Sequence, residues 1–107
     1  MYQYVYTLPN MDFSGLTGFE WDEGNLKKVF ERIEPSVAEM AFQGEPWVAL
    51  SRRHSGAEKR WFLVNKVVKR HVFVVFTIRE NKIRIVSARY MHRKEVKFYE
   101  KKFRQEK

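Results

Sequence analysis

Apolar positions recur at two different spacings along this chain, and the spacing decides the elements. Leu26, Val29, Phe30 and Ile33 fall at i, i+3, i+4 and i+7, the stripe of an amphipathic helix. Asp22 suits its N-cap, and Pro35 stops it. Ser36-Val37-Ala38-Glu39 reads as a capping box, opening a short second helix through Val37, Met40 and Ala41 that ends near Gly44. Both stripes are expected to cover a sheet. From Trp61 onward the period shortens to that of strands. Trp61 to Val67 opens a meander, and Val72 to Ile78 is almost wholly apolar, as a central strand should be. Lys82 to Ala88 alternates, with Ile83 and Ile85 inward and Lys82 and Arg84 outward. Glu80-Asn81 makes a tight turn between the last two, which therefore pair as an antiparallel hairpin. Shorter strand candidates are Gln3 to Leu8, Phe19 to Trp21 and Trp47 to Leu50, with a polar loop at Arg52 to Lys59. His92 to Arg104 returns to helical spacing through Val96, Tyr99 and Phe103, with Glu100 and Arg104 as an i,i+4 pair. This order predicts an α+β domain, a small antiparallel sheet with two helices before it and one after it.

Size and composition narrow the class. At 107 residues the chain is one domain, because two cores would each bury too little surface. It has no cysteine, so disulfides, thiolate metal sites and thiol nucleophiles are excluded. No apolar run approaches the roughly 20 residues of a membrane span, and MYQYVYTLPN lacks the marks of a secretory signal. A cytoplasmic protein is expected.

Charge carries more. The formal net charge is +8, yet residues 1–51 hold eight acids against three bases, whereas the remainder holds five acids against 18 bases. Segregation of this kind points to a polyanionic partner, since cations that neutralise phosphates gain affinity by releasing counterions. A merely solvated surface would mix the signs.

Three histidines far apart in sequence, and acids without a D-x-D cluster, give no metal site. There is no P-loop, G-x-G-x-x-G or G-x-S-x-G, so no cofactor is expected. What remains is a phosphate-handling set. Arg52-Arg53-His54 and Glu58-Lys59-Arg60 precede the first meander strand, Arg79 and Arg89 end the next two, and His92-Arg93-Lys94 opens the last helix. Metal-free RNA cleavage needs a base for the 2′-hydroxyl, cations for the phosphorane and a proton for the leaving oxygen. Glu58 or His54 could be that base, arginine forks the cations, and His92 a donor. Arg53, His54, His92, Arg93 and Lys94 are the expected RNA-binding residues. His71 reads as a satisfied half-buried residue, and Trp21, Trp47 and Trp61 as packing rather than base-stacking groups.

The ordered set of short motifs resembles the BrnT-type ribonuclease toxins of type II toxin–antitoxin pairs. Phe19-Glu20-Trp21-Asp22-Glu23 is similar to that family's opening, and His54-Ser55 with Glu58 and Arg60 to its HS..E.R segment. Thr77-Ile78-Arg79, Arg84 to Arg89, and Arg93, Glu95 and Tyr99 follow in the family's order. The resemblance spans about Phe19 to Tyr99, and residues 1–18 form an atypical N-terminal extension, read as an added strand or an upstream start. It implies a RelE-like fold and an mRNA-cleaving, metal-independent endoribonuclease that inhibits translation. Glu58, Arg60, Arg79 and Arg89 would be its catalytic residues, with Arg93 close by. It also implies a BrnA-like antitoxin as partner, in a dimer or heterotetramer. The family's Lys-His-Gly turn between the first two helices is replaced here by Glu31-Arg32-Ile33-Glu34-Pro35, so any function of that histidine is absent or supplied elsewhere. The alternative reading is a non-catalytic, basic RNA- or DNA-binding module.

Overall fold

In the computed structural model, the described residues are 4–7, 13, 15–51 and 58–102, with backbone alone for Tyr4–Thr7 and Lys102. They form β1 (Tyr4–Thr7), α1 (Glu23–Phe30), α2 (Pro35–Met40), β2 (Trp47–Ser51), β3 (Trp61–Val67), β4 (Arg70–Arg79), β5 (Lys82–Tyr90) and α3 (Arg93–Lys102). The strands make one antiparallel sheet in the order β1-β2-β3-β4-β5. This is the α+β arrangement the sequence predicts.

The apolar run of β4 sits between β3 and β5 and feeds both faces of the sheet. Val72, Val74 and Phe76 join Val29, Ile33, Ala38, Ala41 and Phe42 in a core beneath α1 and α2. Phe73 joins Phe62, Val64 and Met91 on the opposite face, where Val96 and Tyr99 of α3 pack. Trp47 meets Tyr99 edge to face there, while Trp21 and Trp61 flank the first core, so all three tryptophans pack as expected.

Two turns shape the hairpins. Glu80 and Asn81 both take positive φ (48° and 65°), the backbone that a two-residue turn needs to match strand twist. At the β3–β4 turn Val68 stands at φ 58°, uncommon for a branched side chain. β5 also carries a bulge: Val75 pairs with Ser87 but Phe76 with Ile85, leaving Val86 unmatched. Because of it Ile85 and Ala88 both reach the first core, although they stand three positions apart.

Three expectations need correction. Phe19 to Trp21 is no full strand; Phe19 makes one isolated parallel bridge to Ile83. Its neighbours bind the outer edge of β5, with Ile83 N donating to Gly18 O and Glu20 N to Ile83 O, each 2.8 Å. The helical stripe of α1 is only half buried. Val29 and Ile33 are covered, but Leu26 and Phe30 are 41% and 64% exposed, because α1 packs against β5 at the sheet's margin. The box at Ser36 does not form either. Pro35, whose missing N–H costs nothing in a first turn, begins α2 behind Glu34. Glu39 instead accepts from Trp21 Nε1 at 2.7 Å. The capping box belongs to α1, where Asp22 and Asn25 exchange side-chain-to-backbone bonds. Glu100 also lies 3.9 Å from His71 across the α3 interface; the expected Glu100–Arg104 pair falls outside the described residues.

Candidate active site

Strand register sets this site. The Glu80-Asn81 turn places Arg79 opposite Lys82 and Thr77 opposite Arg84. Thr77 and Arg79 alternate with the core residues Phe76 and Ile78, so they emerge on the face away from α1 and α2. The segment before β3 is pinned alongside them. Thr77 Oγ1 donates to Lys59 O at 2.6 Å, and Ser51 N to Arg60 O at 2.8 Å. Glu58 is thereby brought to Arg79, whose Nε donates to its carboxylate. Glu58, Lys59, Trp61, Thr77, Ile78 and Arg79 line an open groove of about 480 Å³.

Two further carboxylates complete a network. Arg84 donates to Asp22 Oδ2 at 2.8 Å and to Oδ1 at 3.3 Å, and its Nη1 lies 3.4 Å from Glu20 Oε1. The same Glu20 oxygen is 4.0 Å from Arg79 Nη1. Asn25, buried, anchors this corner by donating to Glu20 O and Ile85 O. The α1 N-terminus, the start of β5 and the Glu58 segment are thus tied to one pair of guanidinium groups.

The charges shift one another. The hydrogen bond from Arg79 holds the Glu58 carboxyl below its ordinary value, helped by the charges of Arg79, Arg60 and Arg84 and opposed by partial burial. Asp22 is lowered chiefly by its bond from Arg84, and Arg79 is raised by Glu58. Both carboxylates are therefore anionic at neutral pH. A depressed carboxyl stabilises the fold above its unfolded value of 4.5, and that contribution is lost as pH falls through the lower folded value. The gap in thermal midpoint between wild type and Glu58→Gln is expected to be small and to close on acidification from about pH 6 to about pH 3. A gap constant over that range would show that the ion pair adds no pH-linked stability.

Arg89 lies elsewhere on the same face. It pairs with Phe73, six residues of β4 from Arg79, roughly 20 Å at about 3.3 Å per residue. Its guanidinium makes a two-pronged bond to Glu95, 2.7 Å in each arm, and sits over the Phe73 ring. Glu95 also accepts from His92 N at 2.9 Å, so Arg89 and the start of α3 are fixed together. His92, Arg93 and Lys94 are exposed there. Arg53 and His54 fall outside the described residues. The fold therefore gathers Glu58, Arg60 and Arg79, and holds Arg89, His92, Arg93 and Lys94 as a separate group. Arg84, Glu20 and Asp22 join the first group without having been expected there. The signal for Arg84 was the two-residue turn, whose register sets it opposite Thr77.

A family model describing the ribonuclease toxin, BrnT, of type II toxin–antitoxin systems matches residues 21–95. The chain belongs to the BrnT family. The match runs from α1 into the first turn of α3 and contains Asp22, Glu58, Arg60, Arg79, Arg84 and Arg89; β1 precedes it. The BrnT description makes the chain a ribonuclease toxin with an antitoxin partner and an RNA target. No curated protein and no solved structure matches the chain. Among the described residues no helix is long and apolar enough to cross a membrane, and no three His, Asp or Glu side chains gather as a metal would require.

Proposed function

We propose that this BrnT-family chain cuts mRNA in the cytoplasm without a metal ion, at the Glu58–Arg79 groove, and is silenced by a BrnA-like antitoxin. One observation carries the reading: a carboxylate and a guanidinium supplied by separate segments meet at an open groove, with Arg60 adding positive charge beside them.

The ion pair supplies a way to switch on a base. Paired with Arg79, Glu58 is a weak proton acceptor. A scissile phosphate competes for the same guanidinium through its free edge, and as Arg79 turns toward it the Glu58 carboxylate regains basicity. Glu58 then takes the 2′-hydroxyl proton, and the 2′-oxygen forms a bond to phosphorus. Arg79 and Arg60 bear the added charge of the phosphorane. The bond from phosphorus to the 5′-oxygen breaks, and water entering the open groove can supply the proton that oxygen takes up. Arg84 keeps Glu20 and Asp22 occupied, limiting their repulsion of the phosphate. Arg89 acts by fixing the start of α3, and with it Arg93 and Lys94, which hold flanking phosphates.

Purified protein incubated with RNA in EDTA is expected to release fragments ending in 2′,3′-cyclic phosphate. Bound but intact RNA would favour the non-catalytic binding module. Cleavage that disappears with EDTA would contradict the metal-free route.

A further inference from the structure

Among the described residues, some cations are held by carboxylates and others are not. Arg79, Arg84 and Arg89 are each engaged by a carboxylate. The β3–β4 hairpin is different. From Lys59 to Arg79 the sequence contains no acid, and its tip concentrates Lys66, Lys69 and Arg70. Among the described residues none of these three forms an ion pair. Arg70 lies 3.6 Å over the Tyr90 ring, which fixes its direction without neutralising it. Lys66 is paired with His71 and shares the α3 face with it. Lys69 and Val68 form the apex, where Val68 is 82% exposed in left-handed backbone. Strain of this sort persists where the surroundings enforce it and is concentrated at working surfaces.

We infer that the tip of the β3–β4 hairpin is a second RNA contact, an anchor for backbone phosphates remote from the cleavage groove. The inference rests on the ribonuclease reading for its ligand and on the free charge at the tip for its place. Binding of a polyanion is strengthened by cations that displace counterions from phosphates. An arginine already bonded to a carboxylate must first give up that partner, so it contributes little. The unneutralised tip therefore adds to the salt-dependent part of affinity, beside Arg93 and Lys94, while the groove carries the chemistry. Arg70, stacked on Tyr90 toward the α1 and α2 face, stands nine positions along β4 from Arg79 on the other face, so a strand passes over the tip and then runs roughly 30 Å at about 3.3 Å per residue. A stacked strand advancing about 3.4 Å per nucleotide needs about nine nucleotides to bridge them. Short RNA reaches the groove alone; long RNA engages both.

The test compares wild type with K66Q/K69Q/R70Q, using a fully 2′-O-methylated RNA of about 20 nucleotides that cannot be cut. With about 0.7 of a unit per neutralised phosphate, the triple variant should lose about 2 from the slope of log affinity against log salt. Cleavage of an unmodified tetranucleotide should stay at wild-type level, while KM for the long unmodified RNA rises. If the triple variant loses thermal stability, K66Q/K69Q, which keeps the Arg70–Tyr90 stack, should still lose about 1.4. An unchanged slope, or equal loss of activity on the tetranucleotide, overturns the anchor. So does retained RNA affinity with loss of binding to an acidic peptide, which would assign the tip to a protein. If the slope falls as expected but unmodified RNA is never cut, the anchor stands and the nuclease reading fails.

Discussion

Replacing Arg79 with alanine is expected to lower RNA cleavage by roughly 10²–10³-fold, the usual cost of deleting one charge-stabilising donor at a transition state. The loss should fall on kcat more than on KM, because the scissile phosphate carries its extra charge only as the phosphorane forms. Folding should survive. Arg79 ends its strand with about half of its side chain exposed, at 47%, and exposed ion pairs add little to stability. Arg79→Lys should recover part of the rate, since it keeps the charge but loses the planar fork that holds Glu58 and a phosphate together. Growth arrest on expression gives a parallel readout, and undiminished arrest by a folded Arg79→Ala protein would remove this residue from the site.

The largest stability loss is expected from Phe76→Ala. Phe76 is wholly buried in β4 and sets its ring 4.9 Å from Phe42 and 6.1 Å from Phe13, edge to face in both cases. Truncation removes the transfer energy of the ring and leaves a hole that the two flanking rings fill only partly, a cost of about 3–5 kcal/mol. Small domains are stabilised by about 5–15 kcal/mol, so the variant should unfold at much lower urea concentration. A midpoint close to wild type would mean that the Phe13 and Phe42 rings collapse into the space.

Much of this fold was readable because strands announce their own pairing. The apolar run of β4, the alternation of β5 and the Glu80-Asn81 turn between them fix a hairpin and its register. The same register contained information about the site that simple motif reading passes over. Counting from the turn puts Arg84 level with Thr77, beside Arg79, and puts Arg89 far along the strand. Motif order alone groups Arg79 with Arg89, because it is blind to distance along a strand. Helix periodicity failed in another way. Leu26 and Phe30 have the spacing of buried residues, but spacing cannot say how wide a surface lies beneath α1. The margin of the sheet is narrow, so only Val29 and Ile33 find cover. For α2, the backbone preference of Pro35 outweighed a side-chain cap at Ser36. Asp22 was legible as a helix cap and Glu20 only as part of a strand that does not form, and the attachment of both to Arg84 depends on tertiary approach.

One unmatched residue has consequences for the whole basic face. Strand side chains alternate sides, so Arg84 and Arg89, five positions apart, would lie on opposite faces of a regular ladder. Val86 supplies the missing step and returns Arg89 to the side where Glu95 can reach it. Parity, and not the identity of any side chain, thus decides whether α3 is tethered on the same face as the groove. Were β5 to run at its present length as an unbroken ladder, Arg89 would turn into the oily layer under α1 and α2 and Ala88 would leave it, and Glu95 would have nothing to grip. Removing Val86 itself would keep Arg89 opposite Phe73 and within reach of Glu95.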